Sequence, residues 1–142
     1  MQIIVLQGSA NTGKTSTLKK LDKILQGKCT PPKDIKKGRK EVCKTYNINI
    51  GGKDYKIGIW SKGDYEDALK DGLTKLKQEK CAYAIVACRT KGNGLKYLER
   101  NYDVLFIVRK RIAANPSDNK ACDKLNLSDA QKLEYLLFKM II

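Results

Sequence analysis

The chain has no histidine in its 142 residues. That removes the Ser-His-Asp triad and the imidazole general base, so acid–base work falls to carboxylates, lysine or bound water. Cys29, Cys43, Cys81, Cys88 and Cys122 include no C-x-x-C pair, and without histidine a zinc site is not expected. An odd set of thiols, two of them bracketing an apolar stretch at Cys81 and Cys88, is expected to be small buried side chains in a reducing compartment. Long apolar runs are missing too. None reaches the ~18 residues of a membrane span, so no membrane role is expected. Met1-Gln2-Ile3 enters the first apolar stretch with no charged leader, so the expected location is cytoplasmic.

Acidic residues are in short supply, 15 Asp+Glu against 29 Lys+Arg, for a net charge of +14. Such a surplus suits polyanionic partners. The surplus is mostly lysine, however, with arginine confined to Arg39, Arg89, Arg100, Arg109 and Arg111, and a diffuse lysine excess reads as a solvated surface. Nucleic acid is therefore admitted as a partner but not favoured. The length and the 42% hydrophobic share fit one soluble domain over residues 1–142.

The informative stretch is Gly8-Ser9-Ala10-Asn11-Thr12-Gly13-Lys14-Thr15, a match to G-x-x-x-x-G-K-[ST]. Apolar Gln2-Ile3-Ile4-Val5-Leu6 before it predicts a buried parallel strand. After it, Leu18, Leu21, Ile24 and Leu25 share one helical face, and Gly27 is placed as the stop. Strand, glycine loop and helix form a phosphate-binding device: glycines turn backbone N–H groups inward and the helix start adds positive potential. Lys14 would bridge outer phosphates and Thr15 would offer its hydroxyl to Mg2+. Gly8 through Ser16 are the candidate nucleotide-binding residues.

Residues 28–41 read as a basic loop broken by Pro31-Pro32, with Thr30 a candidate switch residue. Alternation over Val42–Ile50, the turn pair Gly51-Gly52 and a return through Tyr55, Ile57 and Ile59 predict a hairpin. Asp64 is expected to cap a helix carrying Leu69, Leu73 and Leu76. Apolar 81–88 is expected to be a central strand, 95–101 a short helix, 102–108 the last strand, and 112–127 a polar loop. Ser128-x-x-Gln131 is expected to open the final helix as a capping box.

Ligands sit at the carboxyl ends of strands in open parallel sheets. That rule gathers the glycine loop, Trp60–Asp64, Arg89–Asn93 and Arg109–Arg111. Asp64 is a candidate both for metal binding, with Thr15, and for the helix cap. Ser61 is the other nearby candidate, while Trp60 reads as packing. Arg89 and Lys91 are candidates for offsetting phosphate charge, with Lys14, Asp64 and Arg89 in catalytic roles. Arg109, and Arg111 beside it at the end of the last strand, are candidate contacts to the nucleotide.

Together these features resemble the P-loop nucleoside-triphosphate hydrolase superfamily, in its kinase–GTPase-like branch, across nearly the whole chain. The resemblance implies an α/β three-layer fold. Its sheet would be mostly parallel with one antiparallel edge strand from the hairpin, and the returning strand would lie beside the glycine-loop strand. It implies ATP, or GTP, with Mg2+, and hydrolysis or phosphoryl transfer, as in an NTPase or a small kinase. In small GTPases the returning strand ends in D-x-x-G. Here the matching residues are Trp60-Ser61-Lys62-Gly63, with tryptophan in place of the aspartate. Asn119-Lys120-Ala121-Cys122-Asp123 is one residue too long for N-K-x-D. A GTPase-like switch and a non-catalytic nucleotide- or nucleic-acid-binding module remain the alternatives.

Overall fold

Two runs without polar alternation, Ile3-Ile4-Val5-Leu6 and Ala84-Ile85-Val86-Ala87, need burial on both faces. They lie side by side, in parallel, inside a six-stranded sheet in the computed structural model, which describes residues 1–29, 32–36 and 40–142. The strands are β1 (Gln2–Gln7), β2 (Lys33–Asp34), β3 (Cys43–Ile50), β4 (Lys53–Trp60), β5 (Tyr83–Cys88) and β6 (Asp103–Arg109), in the spatial order β2-β3-β4-β5-β1-β6. The pairings β4–β5, β5–β1 and β1–β6 are parallel, whereas β3 runs antiparallel to both of its neighbours. The helices are α1 (Lys14–Gln26), α2 (Glu66–Gln78), α3 (Gly94–Asn101) and α4 (Asn119–Ile141). The molecule is thus an α/β protein with a mixed, mostly parallel sheet.

Alternate side chains divide the core. Ile4, Leu6, Ile57, Ile59 and Ile85 pack with Leu18, Leu21 and Leu25 of α1 and Ala130, Leu133 and Leu137 of α4. Ile3, Val5, Trp60, Ala84 and Val86 pack on the other face with Leu69, Leu73 and Leu76 of α2 and Leu98 of α3. Helices therefore cover both faces, and every one of these core side chains is fully buried. Among the described residues no helix is long and apolar enough to cross a membrane.

Four expectations are corrected. The returning hairpin strand β4 is not beside β1, because β5 stands between them. β5 is buried from Ala84 to Cys88, as a strand covered on both faces along its length, whereas β4 is buried only over Ile57–Trp60, the stretch that pairs with β5. The antiparallel β3 is not the edge, since the two-residue β2 pairs outside it. α4 starts at Asn119 rather than Ser128, because the Asp118 carboxylate accepts from the Ala121 N–H at 3.1 Å and caps it there. Asp64 does not cap α2: Tyr65 holds the cap position with no side-chain bond. Thr30 and Pro31 lie outside the described residues.

The hairpin turn is as expected. Gly51 and Gly52 have φ of 60° and 84°, left-handed values required at both centres of a type I′ turn.

Candidate functional site

Strands β1, β4, β5 and β6 point the same way, so their carboxyl ends open on one edge of the sheet. The Gly8 N–H donates to the Cys88 carbonyl at 3.1 Å, and the Lys110 N–H donates to the Gln7 carbonyl at 2.7 Å. These bonds carry the sheet one residue further on either side of β1, and the chain then turns away into the 8–13 loop.

That loop is built around one ammonium. Lys14 Nζ donates to the carbonyls of Gly8 and Ser9, both at 2.7 Å, and the residue is only 8% exposed. Thr12 Oγ1 closes the loop by donating to the Ser9 carbonyl at 2.8 Å. Asn11 (φ 59°) and Gly13 (φ 91°) are both left-handed, a backbone that bends successive amides into a concave face. Burial lowers the Lys14 pKa; nearby Asp64 opposes the shift and Arg89 adds to it.

α1 begins directly after the loop with no side-chain cap and no acid in its first turn. Its positive end and free N–H groups are thus left for an external anion. From behind, the loop rests on α4: a Cβ on Gly13 would meet Asn126 Oδ1 at 2.7 Å. Asn126 is buried and lies 3.4 Å from Thr17 Oγ1, which donates to the Gly13 carbonyl.

Facing the loop is a carboxylate wall. Glu41, Ser61 and Asp64 line a cleft of about 480 Å³ together with the loop residues Asn11–Ser16. The Ser61 hydroxyl donates to Glu41 Oε2 at 2.5 Å and accepts from the Val42 N–H at 2.7 Å, so Ser61 locks the end of β4 to the entry of β3. Asp64 accepts from Arg89 Nε at 3.3 Å, and the Arg89 guanidinium lies 5.8 Å from the Tyr65 ring centre. Trp60 is fully buried and its Nε1 donates to the Lys62 carbonyl at 2.8 Å, which fixes it as packing. Gly63 serves close approach, since a Cβ there would come within 1.7 Å of the Ala87 carbonyl oxygen.

A second cleft, about 450 Å³, shares Asn11, Thr12, Gly13 and Ser16 and runs past Arg111, Ile112, Ala113 and Pro116. Its wall is anchored by a buried ion pair. Lys110 Nζ and Asp129 Oδ2 are 3.0 Å apart, with side chains 0% and 1% exposed. Asp129 also takes the Arg111 Nε–H at 2.8 Å and the Arg111 backbone N–H at 3.2 Å, and Arg111 Nη2 donates to the Ser128 hydroxyl at 2.6 Å. Burial would push the Asp129 carboxyl up, but these donors outweigh it and hold it below its ordinary value.

The structure thus brings together Gly8, Asn11, Thr12, Gly13, Lys14, Thr15, Ser16 and Asp64, with exposed Ser9 and Ala10 in the same loop and Arg89 attached through Asp64. Arg109 is not brought in: it is exposed at the end of β6, and Arg111 lines the cleft instead. Lys91 is likewise exposed. Glu41, Asn126 and Asp129 were not singled out by sequence. For Glu41 a signal existed, since counting outward from the Gly51-Gly52 turn sets 42 opposite 61 and brings 41 to the end of β4. Asn126 and Asp129 carried none.

Comparison of the chain with known protein families, curated proteins and solved structures finds no match in any of the three.

Proposed function

We propose that the protein binds a nucleoside triphosphate with Mg2+, ATP in the first instance, and hydrolyses it or transfers its terminal phosphoryl group. One observation carries this reading. A buried ammonium sits inside a left-handed glycine loop at the uncapped start of a 13-residue helix, opposite two carboxylates. The two clefts that share the loop suit an elongated ligand. Its phosphates would lie against the amides and Lys14, and its nucleoside beside Ile112, Ala113 and Pro116.

Among the described residues no three acidic or thiol side chains are grouped to hold a metal by themselves. Mg2+ keeps several waters and takes one or two protein oxygens plus phosphate. The Thr15 hydroxyl and the Glu41 and Asp64 carboxylates are the residues that would hold it, and the ion would supply charge neutralisation at the phosphates.

In the reaction, an oxygen of water or an acceptor hydroxyl bonds to the terminal phosphorus as the bond to the bridging oxygen breaks, leaving the diphosphate. The attacking oxygen gives its proton to solvent, since no imidazole exists in the chain and Glu41 is among the residues that would hold the ion. Lys14 and Arg89 offset the charge spread over the transferred group.

The test is thermal stabilisation by ATP, GTP and their non-hydrolysable analogues, with and without Mg2+, in the parent chain and Lys14→Ala. Stabilisation lost in the variant is expected. Equal stabilisation of both proteins, or none of the parent, would sink the reading. A preference for GTP over ATP would favour the switch alternative.

A further inference from the structure

The two edges of the sheet differ. On one side β2 is two residues long, Lys33 and Asp34, both exposed and charged, a well-protected edge. On the other, β6 is seven residues long and has no lysine or proline to guard it. Leu105, Phe106 and Ile107 are 40%, 36% and 44% exposed in succession. The register against β1 shifts between Ile3 and Ile4: Val104 pairs with Ile3 and Phe106 with Ile4, so Leu105 has no partner on β1. Three large apolar side chains in a row on an open strand edge form the kind of surface that soluble monomers avoid.

The strand reads Asp103-Val104-Leu105-Phe106-Ile107-Val108-Arg109, a chemical palindrome about Phe106. A twofold axis through Phe106 would pair two copies of this strand antiparallel. Val104 would then face Val108, Leu105 would face Ile107, and Phe106 would face its own copy. Asp103 of each copy would face Arg109 of the other. Both charged residues are exposed, and Arg109 has no ion pair among the described residues. Opposite charges directly across an antiparallel pair stabilise it and like charges oppose it. A single unsymmetrical partner strand would not need this self-complementarity, whereas an isologous interface does.

We propose that β6 is a homodimer interface, in which two copies join edge to edge through antiparallel β6 strands centred on Phe106 to make one twelve-stranded sheet. Antiparallel pairing turns the two sheets end for end. The two glycine loops then open on opposite edges of the joint sheet, so each site is complete within its own chain.

The test is sedimentation equilibrium of the parent and three exposed-residue variants, each checked for folding by circular dichroism. The parent is expected to dimerise. Arg109→Asp alone sets Asp against Asp twice and should weaken dimerisation at least tenfold, and Asp103→Arg alone should do the same through arginine. The double exchange Asp103→Arg with Arg109→Asp restores the opposition in reverse and should recover most of the dimer. A parent that stays monomeric up to about 1 mM, the weak limit of specific association, overturns the proposal. So does a dimer indifferent to both single exchanges, or a double exchange that remains as weak as either single. Cross-strand capture of an unrelated apolar peptide by a monomeric parent would assign the edge to a foreign strand and overturn it as well.

Discussion

Replacing Asp129 by alanine isolates the feature that shapes one wall of the site. The carboxylate is 1% exposed and faces Lys110 Nζ, itself fully buried, at 3.0 Å. In the variant the Lys110 ammonium retains one polar contact, to the Arg111 carbonyl at 2.6 Å, and no counter-charge. Removing one member of a buried pair costs about 3–5 kcal/mol, because the remaining charge stays desolvated. The Arg111 side chain is 53% exposed and adds little to that sum. Native domains hold about 5–15 kcal/mol in all, so the variant should be marginal. With a urea slope of about 2 kcal/mol per molar, its midpoint should fall by roughly 1.5–2.5 M at unchanged slope.

Urea denaturation followed by circular dichroism measures this, and two results would refute the reasoning. A loss under about 1 kcal/mol would mean that the pair is solvated. A double variant, Lys110→Met with Asp129→Leu, as unstable as the single one would mean that the orphaned charge is not the cause, since apolar replacement of both partners is commonly neutral or better. The pH dependence has a definite sign. The folded Asp129 carboxyl lies below its ordinary 3.8. Its contribution is therefore complete above pH 3.8 and is lost as pH falls through the lower, folded value. Asp129→Asn should lack that part of the acid destabilisation.

Three further outcomes are expected. Glu41→Gln should keep nucleotide-induced stabilisation but weaken its dependence on Mg2+, and Asp64→Asn should do the same to a smaller degree because Asp64 already answers Arg89; Mg2+ titration of the thermal shift reads both, and unchanged dependence removes either residue from the metal. Gly72→Ala should destabilise by about 1–3 kcal/mol despite alanine's better helix propensity, because a Cβ there would lie 2.2 Å from Trp60 Cε2; a stabilised variant by thermal melt would show that the ring yields. An aromatic disulfide reagent should modify Cys29 and Cys122 before Cys43, Cys81 and Cys88, which are buried, with the Cys81 thiol pushed up to about 11 by burial; early loss of Cys81 by peptide mapping would contradict that order.

What could be read from the chain depended on whether the deciding interaction was local. The glycine loop, its strand and its helix are contiguous, and the Gly51-Gly52 turn fixes its own hairpin, so these were legible in the sequence. The order of strands was not local. β5 separates β4 from β1 because of how each strand's apolar faces compete for cover, a comparison between segments rather than a property of either. α4 starts at the Asp118 cap, and Ser128, inside the helix, accepts instead from Arg111, a partner that only the folded chain supplies. The site divides along the same line. Its cationic half, Lys14 with the loop amides, is consecutive in the chain, whereas its acidic half is assembled from Glu41 before β3 and Asp64 before α2. The tryptophan at position 60 leaves no acid at the end of β4 itself, and Ser61 bridges that gap by drawing Glu41 across the hairpin to the same end of the strand. A search for the acid within one strand-end motif therefore finds none, although the carboxylate stands in the cleft one strand over.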